Sequence, residues 1–295
     1  MHGMVFAAGL GTRLLPLTKK LPKPVVPLMN RPLASFALER LAAAGVTRCA
    51  VNTHHLADEV PRQLEPFVPE GLELVYVHEP ELLGTGGGLR NALSALGSTD
   101  EPILVMNGDI FFWPDFEEAL ILHERLGAMA TTVLRPDPRA RRLGALEVDA
   151  DQRVRRILGR PEECSEPLTE HMFTGVHVLS PHALRDLPQQ GCVIRTAYRR
   201  WVDDPETVVG GFVDLGDWRD LGTPPEYLRA HLDLLDGTLR WPTADFEGEG
   251  DVVVGQGAFV PNDVQLKRCV VWPNTVVEHD AVDSIVAPHA RVSVA

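Results

Sequence analysis

Residues 7–24 read Ala7-Ala8-Gly9-Leu10-Gly11-Thr12-Arg13-Leu14-Leu15-Pro16-Leu17-Thr18-Lys19-Lys20-Leu21-Pro22-Lys23-Pro24, directly after the apolar run Met4-Val5-Phe6. That run predicts a first strand. Glycine permits backbone turns and close approaches that a Cβ forbids, so the N–H groups around Gly9 and Gly11 can converge on an anion. Arg13 adds a planar fork that matches phosphate oxygens, and Lys23 adds a compact positive charge. The stretch reads as a phosphate-handling loop. Its spacing excludes two common alternatives. Nothing supplies the G-x-x-x-x-G-K-[ST] of a Walker loop, and a G-x-G-x-x-G fingerprint fails at Leu14. Prolines 16, 22 and 24 also deny the helix that such a fingerprint opens.

Outward from this loop, strands and helices alternate. A helix is predicted over residues 33–42, with Asn30-Arg31-Pro32 as its cap and Gly45 as its stop. Strands are predicted at 48–52 and 72–77, with a helix at 57–67 between them. The run Gly84-Thr85-Gly86-Gly87-Gly88 is predicted as a turn leading into a helix at 89–96. Ile103-Leu104-Val105-Met106 reads as a strand buried on both faces. This alternation predicts a mostly parallel sheet covered by helices, with ligands beyond the carboxyl ends of its strands. The stretches after residues 6, 77 and 106 all fall at that edge. From 129 to 179 the pattern becomes strand-rich, as expected of an inserted or appended sheet forming the second wall of a cleft.

The predicted domains are a catalytic unit over 1–236, a polar linker over 237–250 and a distinct tail over 251–295. In the tail Val254, Val260 and Leu266 recur every six residues, as do Val264, Val270, Val276 and Val282. Period six predicts a short left-handed β-helix. So short a stub leaves an end to be covered by the main domain or by another subunit, so a homo-oligomer is expected.

The net charge of −13 argues against a nucleic-acid partner, which needs a basic face. The cysteines at 49, 164, 192 and 269 lack metal-ligand spacing and read as reduced thiols. With no apolar run of spanning length and no secretory leader pattern, a cytoplasmic protein with no membrane partner is expected. His54-His55 lacks companions for a zinc site, and Arg139, Arg141 and Arg142 read as a solvated charged turn.

The wording G-x-G-T-R-L-x-P-L-T-x-x-x-P-K-P over residues 9–24 closely resembles the signature of the sugar-1-phosphate nucleotidyltransferases. Trp218-Arg219-Asp220-Leu221-Gly222-Thr223-Pro224 resembles a second element of that family. The resemblance implies a Rossmann-like α/β domain that joins a nucleoside triphosphate to a sugar 1-phosphate and releases pyrophosphate. It also implies Mg²⁺ on Asp109 and Asp220; one or two carboxylates suit that ion. Arg13 is expected on the leaving pyrophosphate and Lys23 on the α-phosphate. The triphosphate is expected on the main chain of Ala8, Gly9, Leu10, Gly11 and Thr12. Base contacts are expected from Glu79, Gly84, Thr85, Gly86 and Gly87. A carboxylate at 79 leans toward guanine, which offers adjacent N1–H and N2–H donors. Toward the sugar the resemblance thins: Gly159-Arg160 stands where the family often has Glu-Lys. Arg160 is expected on the sugar phosphate, with Gly144, Thr174 and Gly175 facing the sugar. Guanylyl transfer to mannose 1-phosphate is the first expectation. Uridylyl transfer to N-acetylmuramate or another amino-sugar 1-phosphate is the second, and a non-catalytic sensor of nucleotide sugars the third.

Overall fold

The apolar run after Met1 forms the strand His2–Phe6, flanked by the parallel strands Arg48–Thr53 and Ile103–Asn107. The computed structural model of the chain describes residues 1–162, 166–244, 246 and 250–294. Glu73–His78 extends the parallel set outside Arg48–Thr53. Met4, Val5, Leu104 and Val105 have no exposed surface, as a strand covered on both faces requires. The chain builds outward from its first strand on one side, then returns to add Ile103–Asn107 on the other. The loops after Phe6 and Asn107 therefore leave adjacent carboxyl ends in diverging directions. That divergence opens a crevice.

The strand-rich middle of the chain does not form a separate sheet. Thr169–Leu179 runs antiparallel to Ile103–Asn107 and carries the sheet onward to nine strands. It pairs also with Ala145–Val148 and, across a register shift between Phe173 and Val176, with Ala130–Arg135. Val154–Ile157 adds antiparallel to Ala145–Val148, and Val209–Val213, parallel to Ala130–Arg135, completes this largely antiparallel half.

Local readings need three corrections. Asn30 is not a helix cap: Met29 and Asn30 have positive φ and turn a tight hairpin between Pro27–Leu28 and Arg31–Pro32. The helix behind it runs over Leu33–Ala43. The glycine run at 84–88 is not a turn before a helix but the first turns of the helix Gly84–Leu96 itself. Its bare face allows close packing, since a Cβ on Gly86 would lie 2.5 Å from Pro188 Cγ. Finally, the segment after 236 is no free linker, because Leu239 and Trp241 are buried in the core beside Phe36 and Phe111. Residues 245 and 247–249 of that segment, and Cys164, lie outside the described residues. Pro224–Leu235 is a helix as predicted, capped by the Thr223 side chain, which accepts from Glu226 N–H.

The tail is a mixed sheet rather than an all-parallel coil. Val252–Val254, Leu266–Val271 and Ala281–Ala287 are parallel, and Ala290–Ser293 closes the sheet antiparallel. The six-residue valine spacing does not mark one buried face, for Val270 is buried while Val276 and Val282 are 63% and 51% exposed. Pairing instead joins residues much further apart, as Val253 to Val270 to Ile285. Those three face Tyr227, Leu234 and Trp272 in a core shared with Leu14 and Leu17 of the signature loop. Val252, Cys269, Val271 and Val286 point the other way into a small core of their own. The later residues of Leu266–Val271 and Ala281–Ala287 are thus buried on both faces, and the tail props the loop from below: the His289 ring lies 2.9 Å from the Leu17 carbonyl.

Candidate active site

Three short 3₁₀ turns, Thr12–Leu14, Leu17–Lys19 and Lys23–Val25, fold the signature loop back on itself. The Thr18 hydroxyl donates to the Gly11 carbonyl at 2.9 Å, and a Cβ on Gly11 would lie 2.8 Å from Lys23 Cβ. Among the described residues no protein acceptor meets the N–H groups of Gly9, Leu10, Gly11 and Thr12. Lys23, only 5% exposed, is held under this loop, and its amine donates to Asp109 at 2.8 Å. The same amine lies 3.6 Å from Asp220, whose other oxygen accepts from Arg13 at 3.3 Å.

Asp109 and Asp220 meet because Trp218–Asp220 forms an antiparallel ribbon with Ile110–Phe112, setting Asp220 opposite Ile110. Both carboxylates touch one ammonium, so they are no further apart than those two contacts allow. Gly222 leaves the room that Arg13 needs: a Cβ there would lie 2.5 Å from the guanidinium. Among the described residues no cluster of three or more His, Cys, Asp or Glu could hold an ion. The Asp109–Asp220 pair converging on one positive charge still suits Mg²⁺, which takes few protein oxygens and keeps water or phosphate for the rest.

A cleft of about 310 Å³ opens over this cluster. Of the predicted nucleotide residues, Ala8, Gly9, Gly11, Thr12, Glu79, Gly84 and Thr85 line it, together with Arg13, Lys23 and Asp109. Leu10 lies in the loop with its side chain 43% exposed, and Gly86 and Gly87 face the neighbouring chain segment instead. Glu79 is 1% exposed, and its oxygens accept from Asn52 Nδ2 at 2.7 Å and Leu83 N–H at 3.0 Å. Asn52 also accepts from Ala7 N–H at 2.8 Å, tying the glycine loop to the Glu79 loop. Sequence reasoning missed Asn52, a buried polar residue at the end of an apolar strand. That position was the available signal.

The sugar-side expectations scatter. Gly144, Arg160, Thr174 and Gly175 do not line this cleft. The Thr174 hydroxyl donates to the Val133 carbonyl at 2.7 Å, while Thr174 O accepts from Trp218 Nε1 at 3.0 Å. Gly175 backs onto Asn107, whose amide a Cβ would overlap. Leu158 and Gly159 both have positive φ in a tight turn that leaves Arg160 exposed. Gly159 thus serves the backbone. A second cavity of about 410 Å³ begins at Asp220 and is lined by Arg135, Arg139, Arg219 and Arg229 with Asp137 and Glu226. Arg139, read from sequence as part of a solvated turn, is one of its walls.

The profile of the nucleotidyl transferase family matches residues 2–237. The chain belongs to this family. A mannose-1-phosphate guanylyltransferase of Mycobacterium tuberculosis is 30% identical over 96% of this chain and 82% of its own length. A UTP–glucose-1-phosphate uridylyltransferase of Synechocystis is 27% identical, with 81% of this chain and 65% of that protein aligned. Several curated relatives are thus longer, this chain spanning about two thirds of them or less. HddC from Yersinia pseudotuberculosis, solved in complex with GMP-PN, superposes with a TM-score of 0.60 at 25% identity, covering 78% of this chain and 97% of that one. The curated relatives are sugar-1-phosphate nucleotidyltransferases, and this chain is an enzyme of that class. No described helix is long and apolar enough to cross a membrane.

Proposed function

We propose that the enzyme transfers a guanylyl group from GTP to mannose 1-phosphate. A phosphate oxygen of the sugar phosphate attacks the α-phosphorus of GTP. The bond from that phosphorus to the β-phosphate bridging oxygen breaks, and GDP-mannose and pyrophosphate leave. Such chemistry depends on positioning and charge neutralisation and needs no covalent enzyme group. The observation that carries the reading is the meeting of Lys23 and Asp109, which line the nucleotide cleft, with Asp220, which lines the second cavity.

In this reading the N–H groups of residues 9–12 cradle the triphosphate and Arg13 steadies the departing pyrophosphate. Lys23 faces the α-phosphate. Asp109 and Asp220 would hold Mg²⁺, which when bound offsets negative charge on the phosphates. Glu79, pinned by Asn52, shapes the base end of the cleft beside Gly84 and Thr85. The catalytic unit is assigned to 1–236, with the tail as its support. The mannose and guanine assignments rest on the 30% identity to the Mycobacterium protein. Uridylyl transfer is the second reading, favoured by the Synechocystis relative.

Pyrophosphate release measured over a grid of the four NTPs and several sugar 1-phosphates tests this. The strongest signal is expected with GTP and mannose 1-phosphate. A UTP row that dominates would install the second reading, and silence in every well would leave only a sensor of nucleotide sugars.

A further inference from the structure

The cavity beyond Asp220 holds more positive charge than its own carboxylates engage. Arg139 is chelated by Asp137, its Nε and Nη2 donating at 2.9 and 2.8 Å. Arg229 donates to Asp233 at 2.5 Å. Glu226 accepts from the Thr223 hydroxyl at 2.9 Å, and Asp220 is engaged by Lys23 and Arg13. Among the described residues Arg135 and Arg219 hydrogen-bond only to main-chain carbonyls, those of Gly216 at 3.2 Å and Trp218 at 3.0 Å. Arg219 makes a long ion pair with Asp233 at 3.7 Å, beyond hydrogen-bond reach, and among the described residues the buried Arg135 Nε has no acceptor.

These guanidiniums are also held in place. Arg135 and Arg139 lie over the Trp218 ring, at 5.8 and 5.9 Å from its centroid. Burial, with Arg219 and Arg139 nearby, weakens the hold of Arg135 on its proton, while Asp137 and Asp214 oppose that loss. Like charges gathered in a half-buried cavity destabilise one another unless an anion joins them. A planar fork suits phosphate or carboxylate oxygens best.

Asp220 lines this cavity and also contacts Lys23 and Arg13 of the nucleotide cleft. An anion among the arginines therefore sits beside the place where the α-phosphate is attacked. Arg160, expected on the sugar phosphate, is exposed and lines neither cavity. We propose that Arg135 and Arg219 bind an oxyanion carried by the sugar substrate. That group is either the 1-phosphate itself or an acidic substituent on the ring. The inference rests on the transferase reading above for the identity of its ligand.

The test measures equilibrium binding of mannose 1-phosphate and of glucuronic acid 1-phosphate to the full chain by calorimetry. It includes Mg²⁺ and a non-hydrolysable GTP analogue, and turnover is followed alongside. Arg219→Gln and Arg135→Gln are compared with wild type, with melting temperatures to establish that each variant folds. Each substitution is expected to weaken sugar-phosphate binding about tenfold, as loss of one charged hydrogen bond does, with analogue binding unchanged. Equal losses for both sugars identify the 1-phosphate as the bound group, and a loss confined to the glucuronic acid compound identifies a ring carboxylate. Unchanged sugar binding in both folded variants, an equal loss of analogue binding, or a wild type that binds neither sugar phosphate overturns the proposal. Binding that depends on the arginines without any turnover would instead count against the transferase reading alone.

Discussion

The two walls of the site are built from different parts of the fold. The nucleotide wall rises from the parallel half, where every strand ends at the same edge. Its loops therefore converge without long-range help, and Lys23, Asn52 and Glu79 are buried and tied to partners. The second wall, which we propose for the sugar, is built around the end of Ala130–Arg135, the ribbon strand Trp218–Asp220 and the helix Pro224–Leu235, and its cavity is ringed by arginines. One wall is finished before the ligand arrives. The other keeps charge in reserve for it.

Lys23→Ala should do the most damage, because it removes the contact that joins the walls. It leaves Asp109 and Asp220 facing each other with no ammonium between them, and kcat should fall about 10³-fold, as when a preorganised charge partner is lost. A change confined to the KM of one substrate would show that the residue serves only one wall.

Gly222→Ala tests the nucleotide wall more gently. The atoms nearest the new methyl belong to the tip of the Arg13 side chain, which can swing away, so the fold should survive. The KM for the nucleoside triphosphate should rise about tenfold, one charged contact's worth, with melting unchanged. A normal KM would remove Arg13 from the triphosphate.

Acid should separate the halves by stability. Burial pushes His177 down to about 3 and both His123 and His231 to about 4, while an unfolded chain protonates such rings near 6.5. A depressed histidine leaves stability whole above pH 6.5 and drains it as pH falls toward the folded value. The loss is about 1.4 kcal/mol per pH unit for each ring. His177 lies in Thr169–Leu179, and His123 contacts the Thr131 hydroxyl, so both belong to the antiparallel half. Hydrogen exchange at pH 5 should therefore rise first in Thr169–Leu179, ahead of Arg48–Thr53. Loss spread evenly over the sheet would contradict this.

The same division explains what could be read from sequence. Residues 9–24 carried their chemistry locally, so Arg13 and Lys23 could be singled out before any fold was known. Asp109 followed a buried apolar run and was equally plain. Pairing it with Asp220 needed the resemblance, because a ribbon between Ile110–Phe112 and Trp218–Asp220 joins stretches too far apart for periodicity to reach. Gly159 looked like a missing acceptor when it was a turn residue of positive φ. Arg135 and Arg219 were unreadable: one ends a strand, the other sits inside a recognised motif at a position with no assigned role. Only the folded chain brings them to one cavity. In the tail, a six-residue recurrence of valine was real in the sequence but did not report burial, since it joins the buried Val270 to the exposed Val276 and Val282.

The meeting of Asp109 and Asp220 at one point between the walls is most directly tested by the double variant Asp109→Asn, Asp220→Asn. Pyrophosphate release from GTP and mannose 1-phosphate is followed across a Mg²⁺ titration. Turnover should fall at least about 10²-fold, the scale for losing an electrostatic partner at a reacting phosphate, and Mg²⁺ should saturate only at much higher concentration. A folded double variant with the wild-type rate and the wild-type Mg²⁺ dependence would contradict the account.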